Sequence, residues 1–502
     1  MRPPEVKMKR CFFLLTLCFG VDCLRILSVF PSPTKSHYSP GRRIILELLK
    51  RNHEVVSISP FDEGSMKNYT WIEVEVKSML TAVPALKEKF GADYSVFGYL
   101  RYVWSTMNTY VTYITKQPKL SEFLRNDTSH FDVIFVHDFF QPIFYVFGHK
   151  YKAPLVTMST FGDAHYIHNY MGGHFDFSVP HEFSNLKYPL SFYDWIKNIC
   201  YVTYDVIGRK FYLHKQQNKL VEFFGLENVP HLEDLQANIA TVLLNSHFTT
   251  SIVRESLPNV IEVGGVHIED VKPLNKELQE ILDGADHGAI LFSLGSFIEF
   301  ESQKEEFISD IIKVLASLKQ RVLIKWNADK NISMYTNLYA FPWLPQNDVL
   351  AHTNIKLFVT HGGQLSNHES IVHGVPIICI PFQATQTQVC LNSVKLGYAL
   401  HIPKDHLNIH NFNESIQMIL QDGSYKQKAL EVSRRFQNRP VSALDAAVFW
   451  IEYAGRHKYI FKNYENNFHI CLWSVLSMVI LVAVYSVVRY KNNLLKVKVK
   501  ES

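Results

Sequence analysis

Between Phe358 and Glu369 the chain reads Phe-Val-Thr-His-Gly-Gly-Gln-Leu-Ser-Asn-His-Glu. The run suggests a strand ending at Thr360, a tight turn on two glycines and a helix from about Gln364. Unpaired backbone N–H groups at such a helix start, together with the helix dipole, make an anion site, and glycine lets the backbone approach closely. Ser366 adds a hydroxyl, His361 at the strand end can reach a phosphate oxygen, and Glu369 is placed to accept hydrogen bonds from a ribose. Strand–Gly-Gly–helix junctions are common in α/β folds, so the flanks must decide what this one holds.

The flanks are dense. Phe341-Pro-Trp343-Leu-Pro-Gln346-Asn-Asp-Val-Leu-Ala-His352 comes just before, and His373-Gly-Val-Pro-Ile-Ile-Cys-Ile-Pro381 with a polar Gln383–Gln388 run comes just after.

The elements that must carry these groups alternate. Leu24–Phe30, His53–Ser59, Phe131–His137 and Ala153–Met158 read as strands, with an amphipathic stretch at Arg42–Arg51 and a helical run near Phe140–Tyr151. A second block supplies Val260–Val263, Ala289–Leu294, Arg321–Lys325, Ile355–Thr360 and Pro376–Ile380. Such alternation predicts parallel sheets covered by helices on both faces, and two doubly wound domains in tandem hold ligands in the cleft between them. The expected division is 24–250 and 251–460. From Tyr166 to Tyr212 no clean period survives, and irregular structure is expected there.

At 502 residues with 47% hydrophobic and 20% charged side chains, the chain has the composition of a multidomain globular protein. A net charge of +4 without a dense basic patch argues against a nucleic-acid partner. Residues 1–23 combine a basic start with the apolar run Cys11–Gly20, as in a secretory signal peptide. Phe468–Val488 matches the roughly 20 residues that cross a bilayer, and residues 489–502 form a basic tail. The order predicts a single-pass type I membrane protein with a lumenal body, and Lys498 and Lys500 resemble a dilysine retrieval signal of the endoplasmic reticulum. Only Cys200, Cys379 and Cys390 lie in the body, so no disulfide scaffold is expected, and no Cys/His spacing suggests a zinc site. Asn68, Asn126, Asn331 and Asn413 begin N-glycosylation triplets.

With Phe292-Ser-Leu-Gly-Ser296, the Trp-x-Pro-Gln and Thr-His-Gly-Gly segments, Trp450–His457 and both termini in order, the chain resembles the UDP-glycosyltransferase family in its animal, membrane-anchored, arthropod-like branch. The resemblance implies a GT-B fold, with acceptor held by the first domain and UDP-sugar by the second. It implies that Trp343 stacks on uracil, with Gln346 on base or ribose and Glu369 on the ribose hydroxyls. Ser296, His361, Gly363 and Ser366 would surround the diphosphate, and Thr385 and Gln386 would meet the sugar. The sugar position departs from the family, which usually carries Asp where Thr385 stands.

The resemblance also implies a catalytic base, His37, on the loop after the first strand, and an Asp that orients it. The family position of that Asp holds His137, and Asp138 one residue on is the expected partner. The resulting expectation is transfer of a hexose, usually glucose in this branch, to a small lipophilic acceptor with inversion. The alternative is a catalytically weak relative that binds nucleotide or a lipophilic ligand. The implied partners are a UDP-sugar co-substrate, the acceptor and membrane lipid, with no cofactor, no metal and self-association left open.

Overall fold

The computed structural model describes residues 23–76, 95–295, 298, 300, 303–326 and 334–458. Ser296, Asn331, residues 1–22 of the expected signal segment 1–23, the apolar segment 468–488 and the basic tail lie outside these. Among the described residues no helix is long and apolar enough to cross a membrane.

Two parallel sheets organise the chain. The first contains β1 (Arg25–Val29), β2 (Glu54–Ser59), β3 (Tyr69–Glu73), β4 (Val133–His137), β5 (Leu155–Ser159), β6 (Ile239–Leu244) and β7 (Val260–Glu262), in the order β3-β2-β1-β4-β5-β6-β7. The second contains β8 (Ala289–Ser293), β9 (Arg321–Lys325), β10 (Leu338–Phe341), β11 (Ile355–Thr360), β12 (Ile377–Cys379) and β13 (Ala399–His401), in the order β10-β9-β8-β11-β12-β13. The central strands are buried at almost every position because helices cover both faces, which explains their continuous Val/Ile/Leu/Phe runs.

In each sheet the strand order reverses once, between β1 and β4 and between β8 and β11. Crevices at the C-terminal ends of strands at such reversals are where doubly wound folds bind ligands. The helices that matter for the site are α1 (Lys35–Lys50), α2 (Val96–Thr115), α3 (Phe192–Gly208), α4 (Gln364–Val372), α5 (Ala384–Lys395) and α6 (Ala443–His457).

Three features differ from the sequence reading. Val260–Glu262 pairs with β6 and completes the first sheet, so that sheet runs past the expected boundary at 250. The last helix, α6, returns to the first domain: Val448, Ile451 and Ala454 join the apolar cluster of β1, β4 and α1, and Glu452 meets the buried His53 at 3.1 Å. The stretch expected to be irregular contains α3, a helix of 17 residues capped by the Ser191 hydroxyl. Gly208 in α3 lets the Trp104 indole of α2 approach so closely that a Cβ there would lie 1.8 Å from the ring.

Candidate active site

β1 delivers the chain to a short loop, and α1 begins at Lys35, so His37 lies in the first helical turn rather than on the loop. His37 Nδ1 lies 2.8 Å from Thr160 Oγ1 and 3.2 Å from His137 Nε2, and those two atoms are 3.2 Å apart. His137 ends β4 and is fully buried, whereas His37 keeps part of its surface open. Burial holds the His37 imidazole down to about 4, and burial and the neighbouring His37 push His137 well below the ordinary range. Both rings are therefore neutral at physiological pH.

Asp138 is not the partner of His37. Its carboxylate accepts hydrogen bonds from Tyr145 at 3.0 Å and Tyr170 at 2.5 Å, in a buried pocket that raises its protonation range. Successive residues along extended backbone face opposite ways, so with His137 directed at His37 the next side chain turns away.

On the other side of the cleft, β11 ends at Thr360 and α4 begins at Gln364, with Gly362 at a φ of +80°. His361 sits between two glycines: a Cβ on either Gly295 or Gly363 would come within 2.6 Å of its ring. Burial and the nearby Lys325 ammonium hold this imidazole down to about 4. Its buried Nδ1 has no hydrogen-bond partner, as suits a ring reserved for a ligand.

Gln346 donates to Ser366 Oγ at 3.0 Å and to Glu369 Oε2 at 2.5 Å, which joins three of the expected nucleotide residues into one wall. His267 lies 3.6 Å from the other Glu369 oxygen. Trp343 is 61% exposed, an unusual state for tryptophan unless its face is meant for a partner. The ammonium groups of Lys35 and Lys325 stand 5.5 and 5.3 Å from its ring centre. Trp343, Gln346, Ser366 and Glu369 line one cavity of about 660 Å³. A second cavity of about 300 Å³ is lined from both domains, by His37, Thr160 and Phe139 on one side and by His361, Gly363, Ser366, Thr385 and Gln386 on the other.

Gln386 lies in the first turn of α5, where its amide oxygen accepts from the backbone N–H of Phe382 and Gln383 at 2.8 and 3.0 Å. That helix-capping duty leaves its NH₂ group for a ligand. Gln388 crosses the cleft and donates to the carbonyls of Ser184 and Leu186 at 2.6 and 2.9 Å. Neither this clasp nor the Thr160 contact carries a local sequence signal. The Lys35 contact with Trp343 has only its closeness to His37 as a clue.

Among the described residues, one group has the donor types and spacing of a metal site: His181, Glu182 and Asp205. Arg209 already supplies the cation, with Nε 2.8 Å from Asp205 Oδ2. Burial opposes the Glu182 charge, yet His181 and His165 hold its carboxyl well below the usual range. The cluster is a buried charge network that joins Asp205 on α3 to His181 and Glu182 from the segment before it, and none of the three lines either cavity.

Comparison with known proteins agrees with this geometry. The chain is 27% identical over 461 residues to UDP-glycosyltransferase UGT5 of Dactylopius coccus, covering 89% of this chain and 86% of that one. It is 27% identical to UDP-glucuronosyltransferase 2B23 of Macaca fascicularis over 84% of this chain and 83% of that one. Among solved structures, the calicheamicin glycosyltransferase CalG4 superposes with a TM-score of 0.59 at 16% identity, over 87% of this chain and all of that one (100%). A UDP-glucosyltransferase from Polygonum tinctorium gives 0.59 at 16% identity over 86% of this chain and 99% of that one. The shared architecture is the GT-B fold of two Rossmann-like domains. The family described as UDP-glucoronosyl and UDP-glucosyl transferase matches residues 26–460. The chain belongs to this family and is a UDP-dependent glycosyltransferase.

Proposed function

We propose that the enzyme moves a neutral hexose, glucose, from its UDP-sugar to the hydroxyl of a small lipophilic acceptor with inversion at the anomeric carbon, using His37 as general base. The observation that supports this reading is the cavity shared by His37 and the His361–Gly363 turn, which brings a base and a phosphate cradle to one space. Uracil would stack on Trp343 and the ribose would bond Glu369. The diphosphate would lie at the start of α4 beside His361 and Ser366, where N–H donors and the helix dipole stabilise the departing UDP. Ser296 would complete that cradle, and Thr385 and Gln386 would meet the sugar.

No lysine or arginine lines the shared cavity among the described residues, so a sugar carboxylate would have no cation there; this favours glucose over glucuronic acid. Tyr99, Tyr102, Met107, Phe139 and Phe161 give the acceptor side an apolar, aromatic surface. His37 Nδ1 is occupied by Thr160 and His137, which leaves Nε2 to take the acceptor proton as the acceptor oxygen attacks C1 from the face opposite UDP. UDP-sugar is a co-substrate, and the reading calls on no cofactor or metal. In this reading residues 1–23 are a signal peptide, 468–488 a membrane span and 489–502 a cytosolic tail, and the body would stand on the lumenal side of the endoplasmic reticulum membrane; the sequence pattern supports this.

The test is product analysis after incubating the full chain with UDP-glucose and a phenol. A β-glucoside together with stoichiometric UDP supports the proposal. UDP binding without glycoside across a broad panel of donors and acceptors would replace it with the non-catalytic reading, which Thr385 and the turned-away Asp138 favour.

A further inference from the structure

We propose that this transferase selects acceptors by the acidity of their hydroxyl, taking phenols and rejecting aliphatic alcohols, because its base has a neutral His–Thr pair where a carboxylate would be needed to sustain its charge. The inference rests on the transferase reading above and concerns the base side of the same site.

The geometry is the triangle of His37 Nδ1, Thr160 Oγ1 and His137 Nε2, with sides of 2.8, 3.2 and 3.2 Å. When His37 serves as a base through Nε2, Nδ1 carries the proton and donates it within this triangle. During transfer the acceptor O–H bond breaks and its proton goes to His37 Nε2. The acceptor oxygen's electron pair forms the bond to C1, and the C1–O bond to UDP breaks with its pair leaving on the β-phosphate. His37 is then an imidazolium facing a hydroxyl and a second imidazole, neither of which carries compensating charge.

The surroundings supply none either. On α1, Lys35 lies over Trp343. Beyond β4, Asp138 is held by Tyr145 and Tyr170. Beyond β5, Asp163 is paired with His168 and Arg254. From α2 come the tyrosines Tyr99, Tyr102 and Tyr110, and from the second domain His361, itself kept neutral. No acidic side chain lines the cavity among the described residues.

A base of this strength, held down to about 4, is mismatched to hydroxyls near the pKa of water, about 15.7, and far less so to phenols near 10. Proton removal from an alkanol therefore lags behind bond formation, whereas a phenol reaches the transition state with most of its proton already transferable.

The test compares acceptors of matched size across a range of hydroxyl pKa, with UDP-glucose as donor, in the full chain and in His137→Asp. The wild-type rate should fall at least tenfold from phenols to alkanols. His137→Asp should narrow that gap about tenfold or more by restoring a counter-charge. Equal rates for phenols and alkanols, or a gap unmoved by His137→Asp, would overturn the inference while leaving the transferase intact. A readout independent of turnover is the His37 titration by NMR of ring-labelled histidine in detergent micelles, assigned through its loss in His37→Gln. The inference expects a ring that stays neutral below pH 5 and titrates higher by more than one unit in His137→Asp. A ring titrating near its ordinary value in the wild type, or unchanged in the variant, would contradict it.

Discussion

Replacing Gly362 with alanine tests the turn between β11 and α4, the proposed phosphate site, at its tightest point. The residue has a φ of +80°, and a Cβ there would lie 2.3 Å from Cys390 Sγ, 3.2 Å from the Gln386 carbonyl and 3.4 Å from Cys379 Sγ. The backbone conformation alone costs an L-residue about 1–2 kcal/mol. Overpacking against two fully buried cysteines adds about 1–3 kcal/mol. If the loss is borne by the turn, UDP affinity falls by at least tenfold because the N–H groups of Gly363 and Gln364 are displaced. The two contributions can be separated, since Cys390→Ala removes the sulfur and leaves φ unchanged. The double variant should recover the packing part, a coupling of about 1–3 kcal/mol in thermal unfolding and UDP titration of the four proteins. Gly362→Ala with wild-type stability and affinity, or no recovery with Cys390→Ala, would refute the reasoning.

Three further outcomes follow from the same geometry. Trp343→Ala should weaken UDP binding by about 1–3 kcal/mol, the usual value of base–aromatic stacking, and leave the unfolding temperature unchanged because the ring is 61% exposed; calorimetric titration of UDP reads this. Arg209→Met leaves the buried Asp205 carboxylate without its guanidinium partner and should destabilise the first domain by about 3–5 kcal/mol in chemical denaturation. His37 and His361 are held near 4 in the folded chain against an ordinary 6.5. The unfolded chain therefore binds more protons between those values, and stability should be full above pH 6.5 and fall progressively toward pH 4. A thermal midpoint that stays flat down to pH 5 would show these rings are not the cause.

That Gln346, Ser366 and Glu369, the residues proposed for the nucleotide, meet in one wall was legible because they are close in sequence. Trp343 and Gln346 stand just before β11 and Ser366 and Glu369 in the helix just after it, and each has a side chain whose chemistry suits one part of a nucleotide. The base side was not, because its triangle joins residues 100 and 123 positions apart. Whether His137 or Asp138 faced His37 depended on a single alternation at the end of β4. Helix α3 escaped notice because Phe192 and Tyr193 on its first turn are 77% and 68% exposed while Asn198 and Asp205 are buried, which blurs its apolar period. β7, a strand of three residues, offered no pattern to say which sheet it joins. α6 joins the first domain through apolar residues that would equally suit the second.

The most direct test of the account measures chemistry and binding together in His37→Gln: glycoside formation from UDP-glucose and a phenol, beside calorimetric UDP affinity. A base that does not touch the nucleotide should lose turnover by about 10²-fold or more while UDP affinity stays within about twofold. Unchanged turnover, or turnover and UDP affinity falling together, would contradict the division of this site into a base from the first domain and a nucleotide cradle from the second.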